Sequence, residues 1–274
     1  MTLSDEQLQR YARHIILREV GGVGQATLSK ARVLVVGAGG LGSPAMLYLA
    51  AAGVGTIGVV DDDLVSLSNL QRQIAHRTQD IGRLKVESAA DSVRAINPHV
   101  SVEAHQFRLD ASNAVALISR YDVVLDGSDN FATRFLVNDA CFFAQRSLVS
   151  AAVGQFDGQL AVYKAHVRMD GERRYPCYRC LFPEAPPPGT VPSCTEAGIL
   201  GALTGVMGSL QALETLKELL GIGDTLAGRL MLYDGLGGLV RTVLVPPEPE
   251  CALCGPHPRI TRLTDGAAAE CTAR

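Results

Sequence analysis

The residues Val33-Leu34-Val35-Val36 form an uninterrupted apolar run, and Gly37-Ala38-Gly39-Gly40-Leu41-Gly42 follows without a break. Such a run bounded by glycines reads as a strand buried on both faces, and the stretch Ser43 to Ala52 behind it reads as a helix. A strand, a glycine turn and a helix in that order commit the chain to the α/β class, a Rossmann-like, mostly parallel sheet with helices on both faces. The glycines let the backbone turn tightly and come close to an anion, while amides at the helix start offer it partial positive charge. This is a phosphate or nucleotide cradle. The next strand, Thr56 to Val60, ends at Asp61, whose carboxylate suits a ribose hydroxyl. Those features alone serve a nicotinamide dehydrogenase equally well.

The polar stretch after Asp61 separates the two. It runs through Asp62-Asp63, Asn69, Arg72 and Gln73 to Lys85, beyond the carboxyl end of a strand, where open α/β sheets place ligands. Arg72 can fork onto phosphate oxygens and Lys85 can supply a point charge, a pairing suited to a triphosphate. The β/α alternation then continues: helix Lys85 to Ile96 stopped by Asn97-Pro98, strand Val100 to Ala104, helix Asp110 to Arg120, strand Val123 to Leu125. Asp126-Gly127-Ser128-Asp129-Asn130 again follows a strand end, where a carboxylate either binds Mg²⁺ or caps the helix Thr133 to Ala144. Leu148 to Ala152 is a further buried strand, and Gln159 to Tyr163 begins an antiparallel extension that the hairpin Leu230 to Tyr233 and Val240 to Val245 closes. Upstream, Ser4 caps a helix over 4–17, and Gly21 to Gly24 links it to the first strand. Arg10, Arg13 and His14 lie along this helix, on what composition alone reads as a solvated face.

Seven cysteines include two C-x-x-C pairs, Cys177/Cys180 and Cys251/Cys254. Four thiolates in that form are the signature of tetrahedral Zn²⁺, and a site with all four positions occupied has no room for substrate, so the zinc is structural. Between the pairs, a proline-rich loop over 183–192 delivers Cys194 to the start of a helix spanning Glu196 to Leu220. Cys194 is either a nucleophile, its thiolate favoured by the helix start, or a small buried residue. Cys141 reads as core, and Cys271 falls in a polar, alanine-rich tail.

A net charge of -3 without a basic block leaves no footprint for nucleic acid or an anionic membrane. The uncharged stretches 33–60 and 197–213 are broken by glycine, proline and polar residues and read as buried core, not membrane spans. The N-terminus lacks a secretory h-region, and paired C-x-x-C suits a reducing compartment, so a cytoplasmic location is expected.

Taken jointly, Arg10-Tyr11-Ala12-Arg13, GAGGLG, VDDDLVSLSNLQRQ, KVESA, DGSDN, CYRC, SCTEAG and CALC resemble the MoeB/ThiF adenylyltransferases of the ubiquitin-activating enzyme superfamily, over residues 5 to 258. The resemblance implies ATP-dependent adenylation of the C-terminal glycine carboxylate of a ubiquitin-like sulfur carrier, with molybdopterin and thiamine carriers (MoaD/ThiS-like) as candidates, and release of pyrophosphate. It places Gly39, Gly40 and Gly42 under the nucleotide and Asp61 on the ribose. Asn69, Arg72, Gln73 and Lys85 surround the phosphates, and Asp129 binds Mg²⁺. Arg13 then reaches across a homodimer into the neighbour's ATP site, and Cys194 stands where some relatives bind the carrier covalently. The implied partners are a carrier ending in Gly-Gly and a separate sulfur donor, since no rhodanese-like domain follows the second knuckle. One adenylation domain over 1–258 is expected, with a nucleotide-binding core over 31–152, a crossover and zinc-containing part over 153–258, and a flexible tail over 259–274. The competing readings are an NAD-dependent dehydrogenase and a non-catalytic, zinc-stabilised module that docks a ubiquitin-like protein.

Overall fold

A computed structural model of the chain describes residues 3–169, 171–187, 190 and 198–264. The N-terminal capping signal is realised as a reciprocal pair: Ser4 Oγ accepts from the Gln7 amide, and the Gln7 side chain accepts from the Ser4 amide. The helix expected over 4–17 is nevertheless two, α1 (Asp5–Arg10) and α2 (Ala12–Ile15). The break falls at Tyr11, where burial decides. Its ring, 3% exposed, packs on Gly53 so closely that a Cβ there would lie 2.5 Å from it, and its hydroxyl accepts from Asn97 Nδ2 at 2.8 Å. Gly21 to Gly24, expected to be a linker, forms the first turn of α3 (Gly21–Leu28).

The core alternation follows the expected order. β1 (Arg32–Val36), α4 (Gly42–Ala52), β2 (Thr56–Val60), α5 (Lys85–Ile96), β3 (Ser101–His105), α6 (Ala114–Ile118), β4 (Val123–Asp126), α7 (Phe131–Ala144) and β5 (Ser147–Val153) succeed one another. Then come β6 (Asp157–Tyr163), the short α8 (Tyr178–Leu181), α9 (Gly201–Leu220), β7 (Arg229–Asp234) and β8 (Leu239–Leu244). Two expected helices are shorter than their patterns. Asp110 spends its carboxylate on a turn, accepting from the amides of Ser112 and Asn113, so α6 starts later. Leu200 is extended, so α9 begins at Gly201; residues 191–197, Cys194 among them, lie outside the described residues, as does Cys271.

The strands form one sheet of order β3-β2-β1-β4-β5-β6-β7-β8. Pairing is parallel from β3 to β5 and antiparallel from β5 to β8, as the sequence reading expects. The apolar run at 33–36 is continuous because both faces are covered. Val33 and Val35 pack with residues of α4, α5 and α9, such as Met46, Val86 and Met207, whereas Leu34 and Val36 meet Ile118 of α6 and Phe135 of α7. β1 pairs with β2 on one side and β4 on the other, so the chain reverses its winding there and opens a crevice at the carboxyl ends of these strands. Among the described residues no helix is long and apolar enough to cross a membrane.

Candidate active site

Three strand ends build that crevice. From β1 come Gly37, Gly39 and Gly40, from β2 Asp61 and Asp63, and from β4 Gly127, Ser128 and Asp129. The tightness of the first turn explains its glycines. Gly37 has a φ of 89°, and a Cβ on Gly42 would stand 1.9 Å from the Gly37 carbonyl oxygen. Gly42 is therefore buried inside the turn and does not line the cleft, whereas Gly39 and Gly40 do.

Asp61 is fixed by two amides, its Oδ2 accepting from Ala38 at 2.8 Å and its Oδ1 from Asp63 at 2.9 Å. Burial pushes its carboxyl up from the usual value, against the pull of Lys85 and of these amides. Lys85, 6% exposed at the start of α5, projects its ammonium into the cleft and donates to Asp63 Oδ2 at 2.7 Å. Arg72 also lines the cleft, its Nη1 donating to the Ser68 carbonyl at 3.1 Å. Gln73 is 4% exposed, and its side-chain oxygen has no partner among the described residues. A buried amide oxygen left this way awaits a donor from a ligand, or, with the amide turned over, presents its NH₂ to one.

The cleft thus brings together Gly39, Gly40, Asp61, Arg72, Gln73, Lys85 and Asp129. Asn69 is outside its lining; its side-chain oxygen accepts from the Ser66 amide and shapes the turn before Arg72. Arg13 is exposed on α2 and does not line its own chain's cleft. Several lining residues were not foreseen. Arg134, whose Nη2 donates to the Ser128 carbonyl at 2.9 Å, adds a third cation, and Thr204 of α9 crowds Gly40 from above. Neither carries a local signal, because each arrives by tertiary packing. Gly127 and Ser128 could have been read from the DGSDN motif itself. Buried Asp126 holds that loop: its Oδ1 accepts from the amide and hydroxyl of Ser128 and its Oδ2 from Ser150. A second lobe, sharing Gly37, Asp61, Asp63, Ser128 and Asp129, extends past Val36 and Val60 to Phe107 and Leu109. One end of the crevice is glycine-lined and cationic, while the other sets Phe107 and Leu109 among carboxylates and other polar groups.

Away from the crevice, Cys177, Cys180, Cys251 and Cys254 converge, with Ile260 packed beside them at the start of the expected tail. Sulfur separations of 3.4 to 3.9 Å exclude disulfides, whose bond is about 2 Å. They match a tetrahedron of thiolates each about 2.3 Å from a zinc ion, which stand roughly 3.8 Å apart.

An open parallel sheet with a glycine turn and a cationic crevice at its switch point defines a Rossmann-like, phosphate-cradling α/β protein. Residues 11–253 match the ThiF family, and the chain belongs to it. It is 51% identical over 265 residues to the sulfur carrier protein adenylyltransferase of Thermus thermophilus, across 97% of each chain. It is 49% identical over 264 residues to the Anopheles gambiae protein named adenylyltransferase and sulfurtransferase MOCS3, covering 96% of this chain and 58% of that one. The chain therefore spans little more than half the length of that relative. Its fold is shared with E. coli MccB, crystallised with AMPCPP and MccA, at a TM-score of 0.77 and 20% identity over 92% of this chain and 75% of that one. The MoeB/ThiF resemblance drawn from the motifs is borne out.

Proposed function

We propose that this chain is an ATP-dependent adenylyltransferase that activates the C-terminal glycine carboxylate of a ubiquitin-like sulfur carrier protein. The observation that carries the reading is the convergence of Arg72, Lys85 and Asp129 with the glycine turn around one crevice. Triphosphate lies along Gly39 and Gly40 toward Arg72 and Lys85, the ribose hydroxyls meet Asp61, and the base occupies the lobe of Phe107 and Leu109. Lys85 then exchanges Asp63 for phosphate oxygens.

A glycine carboxylate is already ionised at neutral pH, so no general base is needed. Its oxygen attacks the α-phosphorus, the bond to the bridging oxygen of pyrophosphate breaks, and the departing charge is met by Arg72 and Lys85. Asp129, an exposed carboxylate at the mouth of the crevice, is a hard oxygen donor that fits Mg²⁺, which when bound neutralises phosphate charge. The four cysteines hold a structural Zn²⁺. Arg13 acts in the crevice of a second copy, and the apolar groove beside it, lined by His14, Tyr48, Ala51, Leu213 and Leu216, supports a homodimer as the working state. Sulfur reaches the adenylated carrier from a separate donor.

The test is ATP–pyrophosphate exchange with a carrier ending in Gly-Gly. Exchange should require the carrier, and Asp129→Ala should lower it by about 100-fold. Exchange that is indifferent to the carrier would sink the substrate assignment; full exchange by Asp129→Ala would remove the metal role. Running the assay with each carrier of the native cell assigns the pathway, molybdopterin, thiamine or another.

A further inference from the structure

Beneath the glycine turn lies a polar chain that no part of the chemistry above employs. His76 is 6% exposed. Its Nε2 stands 2.9 Å from the Ala38 carbonyl oxygen and its Nδ1 2.9 Å from Ser88 Oγ, which is itself 2.9 Å from Asp80 Oδ2. Ala38 is the second residue of the turn, and its amide already donates to Asp61. One residue of the cradle is thus tied at its nitrogen by the carboxylate that faces the ribose and at its carbonyl oxygen by a buried imidazole.

Counting protons fixes the roles. A carbonyl oxygen only accepts, so Nε2 must carry a hydrogen. Ser88 has a single hydroxyl proton for two neighbours. Asp80 has other donors, the Arg77 amide at 3.0 Å and Arg83 Nη1 at 2.7 Å, so it stays satisfied when Ser88 turns to Nδ1. With the ring neutral, as its burial favours, these contacts select the Nε2–H tautomer. Burial of the ring and the nearby Lys85 ammonium hold His76 below its usual pKa, Asp61 and Asp80 opposing. The segment carrying the imidazole is also pinned to α5 by Ser92, whose hydroxyl donates to the Ala75 carbonyl. Arg72 and Gln73 stand just before it, so His76 couples the residues that line the cationic end of the crevice to the turn facing them.

We propose that His76 is a positioning residue of the nucleotide site, its Nε2–H holding the Ala38 carbonyl so that the glycine turn keeps the shape that receives a triphosphate, with Ser88 setting the tautomer. This rests on the ATP reading given above. Among the described residues this carbonyl has no second donor, so removing the imidazole frees the turn rather than the fold, and the loss falls on nucleotide affinity.

Glutamine and asparagine separate the two ring nitrogens. In His76→Gln the side-chain NH₂ reaches the Nε2 position and can hold Ala38, while in His76→Asn it reaches only the Nδ1 position. ATP binding followed by calorimetry, without carrier, should weaken roughly tenfold in His76→Asn and stay within about threefold of wild type in His76→Gln, at matched melting temperatures. Equal affinity in His76→Asn and wild type would overturn the role of His76 while leaving the nucleotide site intact. Failure of the wild-type protein itself to bind ATP would overturn the adenylation reading and this one with it. Nitrogen-15 NMR of the unaltered protein gives a readout that needs no variant: His76 should be protonated at Nε2, and an unprotonated Nε2 would refute the contact.

Discussion

A methyl group at position 42 would stand 1.9 Å from a backbone oxygen, whereas one at position 39 would meet only the Gln73 side chain, at 3.8 Å. Two glycines of one motif therefore do different things. Gly42→Ala should destabilise the protein by about 1–3 kcal/mol through overpacking of the turn, a fall in melting temperature that needs no ligand to be seen. Gly39→Ala should leave the melting temperature nearly unchanged and weaken ATP binding, because its methyl group enters the crevice. The motif alone grouped Gly39, Gly40 and Gly42 as nucleotide contacts; only the closure of the turn distinguishes them. Side-chain type singled out Arg72, Lys85 and Asp129, which the fold brings to one crevice. It was silent on Arg134, Thr204 and His76, since an arginine, a threonine or a histidine within an ordinary stretch carries no mark of what will pack against it.

Among the elements, α9 packs tightly on the start of α4. A Cβ on Gly208 of α9 would lie 2.3 Å from the Leu41 carbonyl oxygen and 2.5 Å from Pro44 Cγ, at the start of α4. Alanine there gains roughly 1 kcal/mol of helix propensity but meets backbone that cannot swing aside, a cost of about 1–3 kcal/mol. Gly208→Ala should lower the urea midpoint and, by pushing α9 and its Thr204 off Gly40, weaken ATP binding as well. The β/α core was readable because its central strands β1, β2 and β4 are short, mostly apolar runs and its turns carry Gly, Asn-Pro or Asp. The expectation failed where local pattern and tertiary packing disagree. Tyr11 reads as helix interior but is drawn into the core. Gly21 to Gly24 reads as a linker but is helical, Gly24 fitting α3 against Val20 and Leu220, whose methyl groups a Cβ would meet at 3.1 and 3.2 Å.

For the molecule as a whole, two carboxylates tie stability to pH. Burial raises Asp80 and Glu103, but hydrogen bonds led by the Arg77 amide, with Arg83, on the first, and Arg32, Tyr121 and Arg120 on the second, more than reverse it, so both lie below ordinary carboxylate values. A depressed folded pKa contributes stability that is present above the unfolded value, about 4, and is lost as pH falls through the folded one. Urea midpoints should hold steady on this account from neutrality to about pH 5 and decline below it, and Asp80→Asn should flatten that decline. The cysteine cluster offers a second whole-molecule test. Chelation of zinc, or Cys251→Ser, should lower the melting temperature and release one zinc ion per chain by atomic absorption, with the loss of ATP binding following the loss of fold. An unchanged metal content after Cys251→Ser would rule the cluster out as the site.

The same cluster orders events in time. Cys177 and Cys251 are separated by 74 positions, and at roughly 5–20 residues per second about 4 to 15 seconds of synthesis separate their addition to the chain. α9, which supplies Thr204 to the crevice, is made within that interval. The parallel half of the sheet can assemble while the ribosome is still at work, but the four sulfurs meet only after α9, β7 and β8 have been made. A nascent chain would thus carry the strand-end residues of the crevice early, Thr204 later and the closed cysteine cluster last.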